Sequence, residues 1–252
     1  MRRGRLMLLA ALSGAVAALG LAPFGLWPVS LIGFAVLTAL VAGTGLRGAL
    51  PHTPGYLDQK ESAGVSDHPF LAAWAGGTGY FAVSLHWIVE PFLVDAATHG
   101  WMAPFALILM AGGLALFWGV AGWISARLGG PRALSWAVCL AATEFARGHV
   151  LTGFPWALPA YIWADTDMRL WAAFVGPYGL TLVTLALIGL AVMGPVRAGL
   201  AVVGLAVGLF CAPLVTPDDP GVTDRTVRLV QPNAPQHEKW DPEKAHIFVN
   251  RA

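Results

Sequence analysis

The sequence predicts an all-α polytopic membrane protein of about seven transmembrane helices, closed by a short C-terminal strand and helix. Three observations carry that prediction. Of 252 residues, 57% are hydrophobic and only 12% charged, where a soluble domain carries roughly 25%. Apolar runs long enough to cross a bilayer recur, separated by Pro, Gly and polar turns. The chain also holds 11 Trp and 30 Gly, residues that mark membrane interfaces and membrane helices respectively. Mean hydropathy is +0.66. The net charge of +1 leaves no polybasic face for nucleic acid. Cys139 and Cys211 both lie in apolar runs; two cysteines make neither a disulfide framework nor a zinc spacing, and they are expected to be small buried hydrophobes.

Arg2, Arg3 and Arg5 precede the first apolar run, residues 6–22. The basic start resembles a signal peptide, but no small-x-small cleavage site ends the run and further spans follow, so it is taken as an uncleaved first span. Pro23-Phe24-Gly25-Leu26-Trp27-Pro28 forms a tight interfacial turn. The second span covers residues 28–46. A polar loop follows, with Arg47, Asp58, Lys60, Glu61 and Asp67. The third span covers 70–89, the fourth 102–126 and the fifth 133–150. Between the third and fourth lies a loop with Glu90, Asp95 and His99; between the fourth and fifth lies the turn Gly129-Gly130-Pro131. The sixth span covers 170–193 and the seventh 198–214. Together these make a transmembrane domain over residues 1–214.

Basic residues orient the spans. With the N-terminus in the cytoplasm, that side holds Arg2, Arg3, Arg5, Arg47, Lys60, Arg127, Arg132 and Arg197. The short loops of the other side hold only Arg147 and Arg169. The bias predicts a cytoplasmic N-terminus and an extracytoplasmic tail, periplasmic in a Gram-negative cell. That tail opens with a linker, residues 215–225. Thr226–Gln231 alternates polar and apolar residues as a strand does. Asp241 and Pro242 suit the start of a helix running to Arg251. One strand and one helix bury no core of their own, so residues 226–252 are expected to be the start of a larger domain, with the chain truncated inside it at Ala252.

The stretch that stands out chemically is Thr143–Trp156. It places Glu144 and Arg147 three residues apart in an apolar helix, then breaks at Gly153-Phe154-Pro155-Trp156. A charge at the bilayer centre costs about 2.5–3.5 kcal/mol on insertion scales, so the two need each other or the interface. They are either a substrate-facing pair or an ion pair that fixes the fifth helix and the loop after it; the second reading is favoured, and Pro155 and Trp156 are taken as structural or interfacial. His86 and Glu90, at i and i+4, lack an evident third metal ligand. Asp165, Asp167 and Arg169 suit an interfacial loop face, and Trp156, Tyr161 and Trp163 an interfacial aromatic anchor or a lipid contact. Gly76-Gly77 and Gly112-Gly113 suit close helix packing. No phosphate loop or serine elbow is present, and no cofactor or metal is expected.

Three groups of residues together resemble the apolipoprotein N-acyltransferase family. The first is Leu21-Ala22-Pro23-Phe24-Gly25-Leu26-Trp27-Pro28. The second is Glu144-Phe145-Ala146-Arg147 with Thr152-Gly153-Phe154-Pro155-Trp156 and Gly176-Pro177-Tyr178-Gly179-Leu180. The third is Val227-Arg228-Leu229-Val230-Gln231-Pro232-Asn233 with Gln236 and Lys239-Trp240. Gly79-Tyr80-Phe81 and His86-Trp87 add support. The resemblance spans essentially the whole chain. It implies a bacterial inner-membrane protein with seven spans, an extracytoplasmic α/β nitrilase-like domain and a final span. It also implies a two-step acyl transfer: a cysteine thiolate takes an acyl chain from a phospholipid donor, and the thioester then acylates the α-amino group of a diacylated apolipoprotein acceptor. A glutamate base and an oxyanion-stabilising lysine complete the family's site.

The resemblance implies that those three catalytic residues lie beyond Ala252, further along the nitrilase-like domain. Cys139, Cys211, Glu238, Glu243, Lys239 and Lys244 are therefore not their counterparts. Trp240 matches a family tryptophan near the active site and is the one functional position carried over, as a substrate-binding residue. The resemblance thus predicts membrane lipids as partners, and no acyltransferase activity from these 252 residues alone. The rival expectation is a non-catalytic lipid-binding or transport protein. Transport is disfavoured because polar residues gather near predicted span ends and no inverted repeat stands out.

Overall fold

A computed structural model describes residues 3–43, 68–215, 224–231, 233–235, 238 and 241–251. Among them the regular structure is helical: α1 (Arg3–Ala18), α2 (Trp27–Ala42), α3 (Pro69–Ser84), α4 (Glu90–Leu93), α5 (Ala96–His99), α6 (Ala103–Ser125), α7 (Arg132–His149), α8 (Ala172–Ala191), α9 (Pro195–Cys211) and α10 (Ala245–Arg251), with short 3₁₀ turns between. A helix stands at each of the seven apolar runs. Among the described residues, three helical runs are long and apolar enough to cross a membrane: Ala96–Ser125, Asp167–Ala191 and Pro195–Leu214. Trp27–Ala42 is apolar but shorter. Its 16 residues rise about 24 Å, less than the ~30 Å hydrocarbon core.

The helix limits follow local chemistry. Pro28 and Pro69 occupy first-turn positions of α2 and α3, where the missing N–H costs nothing. Gly43 ends α2 in the left-handed conformation (φ 68°). The third apolar run keeps its α-helix only to Ser84, not to residue 89; His86–Val89 tightens to a 3₁₀ turn. α8 breaks at Gly176 (φ 67°, ψ 174°), immediately before Pro177, which cannot donate to a continued helix.

The chain forms two compact units. One takes the chain up to Leu85 and again from Met110 through α9; the other takes His86–Leu109 and the chain from Asp224 onward. In the first unit α1 packs on α2 and α3, α2 also meets α7 and α8, α7 packs on α8, and α8 on α9. The α1–α3 crossing is close because it is made of glycine. A Cβ on Gly14 would overlap the Gly76 carbonyl oxygen, and one on Gly79 would overlap that of Ala11. Ser30 Oγ donates to the Ala17 carbonyl across α1 and α2 (2.5 Å), and Trp74 Nε1 donates to the Gly112 carbonyl (3.0 Å). Phe34, Tyr80, Phe81 and Trp118 fill the centre as one aromatic cluster, with ring centroids 5.0–6.3 Å apart. α9 buries only Ala201.

In the second unit, His86–Met102 is a succession of short helical turns in which no residue is buried. Asp95 caps α5 by accepting the Thr98 N–H (3.3 Å). In the tail, the expected strand Thr226–Gln231 is absent: residues 225–231 are irregular. A strand exists only against a partner that takes its backbone hydrogen bonds, and no other strand is present among the described residues. The expected helix start is displaced by a turn. Asp241 Oδ1 accepts the Glu243 N–H (2.9 Å), and α10 begins only at Ala245. Gln236, Lys239, Trp240 and Ala252, and most of the polar loop after α2, lie outside the described residues.

Candidate functional site

α7 carries the site because its sequence is apolar on one face and places two charges there. Positions three apart share a helix face, which brings Glu144 and Arg147 together. Arg147 Nη2 lies 2.5 Å from Glu144 Oε2, and Nε donates to Oε1 at 3.0 Å. This two-point geometry suits a planar guanidinium and a carboxylate. Both residues are buried, at 0% and 2% exposure. Trp118 Nε1 on α6 donates to Glu144 Oε1 (2.8 Å), so both carboxylate oxygens are engaged. The Phe81 ring of α3 lies under the guanidinium, 5.0 Å from centroid to Cζ, adding a cation–π contact.

Arg147 also holds the turn that follows α7. Its carbonyl accepts the Phe154 N–H (2.9 Å), and its Nη1 donates to the Phe154 carbonyl. Both peptide groups of Phe154 are thus tied to one residue. Between them the chain reverses through Leu151 (φ 58°) and Gly153 (φ 73°). A Cβ at Gly153 would overlap the Gly148 carbonyl oxygen, so this turn requires glycine for space as well as for φ.

The outer side of α7 adds an aromatic patch. The Phe145 and His149 rings stack at 4.2 Å, and Tyr178 stands 5.2 Å from Phe145 and 5.6 Å from His149. His149 Nδ1 bonds the Phe145 carbonyl oxygen (2.8 Å). Gly148 lets Tyr178 approach: a Cβ there would overlap the tyrosine oxygen. The first turn reaches the same region through Trp27, whose ring lies 5.4 Å from that of Trp163. Asp165 Oδ2 lies against Gly25, 3.4 Å from where its Cβ would be. Thr181 and Thr184 of α8 accept from the Ala160 N–H (3.2 Å) and Trp163 Nε1 (2.8 Å). Burial, and then the neighbouring Tyr178, push the Tyr161 phenol above its ordinary value, so Tyr161 stays neutral at physiological pH.

The first-turn motif, Gly79-Tyr80-Phe81, the Glu144–Trp156 stretch and Gly176–Leu180 therefore converge in one unit. Pro155 and Trp156 lie exposed at its edge, Trp156 at 58%. One expectation is corrected. Trp163, read as part of an interfacial anchor with Trp156 and Tyr161, is 1% exposed and hydrogen-bonded in the core. His86 and Glu90 belong to the other unit and are exposed. Cys139 and Cys211 are free thiols, the first buried and the second half-buried. The expected catalytic residues, placed beyond Ala252, and Trp240, expected to bind substrate, fall outside the described residues. Trp118, Phe81 and Phe154 were missed as partners of the charged pair. Trp118 had a legible signal: a tryptophan mid-span, away from an interface, needs an acceptor for its N–H.

Residues 13–191 match the model of the apolipoprotein N-acyltransferase N-terminal domain family. The chain is 43% identical over 249 residues to the apolipoprotein N-acyltransferase of Caulobacter vibrioides, a match covering 94% of this chain and 43% of that protein. It is 33% identical over 254 residues to that of Rhodopseudomonas palustris, covering 92% and 44%. It is 32% identical over 264 residues to that of Brucella melitensis, covering 97% and 47%. The chain spans less than half the length of each of these relatives.

Proposed function

Since the chain belongs to the apolipoprotein N-acyltransferase family, we propose that it is the membrane part of such an enzyme. On this reading it crosses the bacterial inner membrane seven times, with its N-terminus in the cytoplasm and its tail in the periplasm. Acyl transfer runs from a phospholipid to the N-terminal diacylglyceryl-cysteine of a lipoprotein, in a nitrilase-like region that residues 226–252 begin. The observation that carries the reading is where the family match falls: residues 13–191 cover the helices around the Glu144–Arg147 pair and stop before the tail.

The chemistry of the pair supports a structural role for it. Glu144 is fully buried and both its oxygens accept hydrogen bonds from Arg147 or Trp118, which suits an ion pair held inside the protein rather than a base open to a substrate proton. Arg147 fixes the turn at Phe154 and so the position of Pro155 and Trp156. The pair is a clamp on the extracytoplasmic end of α7, and Trp156 and the Phe145–His149–Tyr178 patch form an aromatic platform there for lipid. Trp240, by its match to the family, is assigned in this proposal to binding substrate in the extramembrane region.

A chimera tests the proposal. Residues 1–252 replace the corresponding part of the Caulobacter vibrioides relative, and the product is assayed in membranes with phospholipid and a diacylated lipopeptide. The chimera is expected to form triacylated peptide; a folded, membrane-inserted chimera with none overturns the reading. Residues 1–252 alone are expected to give no product above background, because in the proposed mechanism the thiolate, base and oxyanion donor are supplied by residues beyond Ala252.

A further inference from the structure

We propose that His86–Met102 is an interfacial membrane anchor that lies in the headgroup–acyl boundary of a zwitterionic lipid surface. The inference rests on the membrane reading but on none of the acyl-transfer chemistry. Its first support is length. Ala96–Ser125 is a continuous helical run of 30 residues, about 45 Å long, whereas about 20 residues cross the ~30 Å hydrocarbon core. The run is therefore longer than a crossing requires. The excess lies at the start, because the other end is fixed: Arg127 stacks on Trp123 at 3.9 Å and bonds its carbonyl oxygen (2.9 Å), an interfacial pairing of cation and indole. From Trp123 back to Trp101 is about 33 Å of helix, one hydrocarbon thickness, and Trp101 is 68% exposed.

The second support is what the overrun joins. Upstream of Trp101, the helical turns from His86 bury no residue, yet Trp87, Leu93 and Val94 are large apolar side chains left exposed. They lead into the exposed apolar side chains Phe105, Ile108 and Leu109 of α6. Short turns that expose both apolar and acidic side chains suit the boundary, where one side meets acyl chains and the other meets water. Charge selects the lipid. The segment carries Glu90 and Asp95, and no Lys or Arg occurs from His86 to Ala126, so an anionic surface repels it and a zwitterionic one does not.

Nitroxide depth measurement tests this. Single cysteines are placed by Leu93→Cys, Val94→Cys or Trp101→Cys in a Cys139→Ala/Cys211→Ala chain reconstituted in phosphatidylcholine vesicles. Leu116→Cys in α6 and Val227→Cys in the tail serve as references. Leu116 is expected to collide with oxygen and hardly with an aqueous nickel chelate. Labels at 93, 94 and 101 are expected to fall between the two references, with nickel collisions several-fold below Val227. Values equal to Val227 place the segment in water and overturn the anchor; protection from both reagents means protein covers it and also overturns it. Three positions keep the test decisive if one variant misfolds. A water-exposed Leu116 overturns the membrane reading as well, which separates the two failures. Substituting phosphatidylglycerol for part of the lipid is expected to leave the labels as shallow or shallower; deeper insertion overturns the assignment to a zwitterionic surface.

Discussion

Glu144 shows how one buried carboxylate sets the demands on its neighbours. Its charge is offset by Arg147, its second donor is Trp118, and the guanidinium then has a third group to satisfy, the Phe154 carbonyl. Removing one member leaves the others buried and unpaired, which costs more than the pair itself contributes. Arg147→Met is expected to lose about 3–5 kcal/mol, and Glu144→Leu a similar amount. The double variant is expected to lose clearly less than the sum, because apolar groups of similar volume replace a buried pair at little cost. Thermal unfolding of the three variants in detergent measures this; additive losses would show that the two side chains act independently. Trp118→Phe removes only the indole donor to a charged group and is expected to cost about 1.5–3 kcal/mol. A loss below that range would mean the carboxylate finds another donor.

At the scale of elements, glycine decides which helices approach. Gly14 and Gly79 lie where α1 and α3 touch backbone to backbone, whereas Gly113 on α6 has open space about it. Gly79→Val is therefore expected to destabilise by at least the ~1–3 kcal/mol of an overpacked core, and Gly113→Ala to be harmless or slightly stabilising; unfolding midpoints compare them. The pattern also marks what was legible. Gly76-Gly77 and Gly112-Gly113 look alike in sequence and both suggested close packing, but a Cβ would crowd its neighbours at both positions of the first pair, only touch Trp74 at Gly112 and meet nothing at Gly113. Periodicity cannot tell which face of an evenly apolar helix meets a neighbour. The seven helix positions were legible because Pro and Gly punctuate the apolar runs. The clamp was half legible: spacing paired Glu144 with Arg147, but Trp118 and Phe81 come from distant helices. Trp163 was misplaced because a tryptophan beside a loop has the same composition whether it faces lipid or Thr184. α5 adds a pH-dependent element. Hydrogen bonds from Thr98 hold the Asp95 carboxyl below its ordinary value, so its stabilising effect is complete above the ordinary carboxylate value and is lost as pH falls through the lowered one. Amide exchange in α5 is expected to accelerate only in that acid range, and Asp95→Ala to abolish the pH dependence.

For the whole molecule, the charge distribution makes a topological prediction. Arg127 lies on Trp123 at the end of α6, and Arg197 Nη1 donates to the Met193 carbonyl (3.1 Å) at the start of α9; both guanidinium groups sit at helix ends. Arg147, one of only two basic residues assigned to the opposite short loops, is buried against Glu144. The distribution of Lys and Arg predicts by the positive-inside rule that the α6–α7 and α8–α9 turns lie in the cytoplasm. Truncated fusions read this out. Alkaline phosphatase is expected to be active after Thr166 or Asp224 and inactive after Gly130, and a fluorescent protein that matures only in the cytoplasm should show the reverse. If phosphatase is active after Gly130 and inactive after Thr166, the orientation is inverted. The Glu144 clamp would then face the cytoplasm, away from any lipoprotein amine outside the cell membrane. Activity after both Gly130 and Thr166 would mean that α7 does not cross. That outcome is the sharper challenge, because α7 carries the buried pair and has 18 residues, about 27 Å of helix. It is expected to cross because the pair's charges are neutralised within the protein, so insertion exposes no bare ion to lipid.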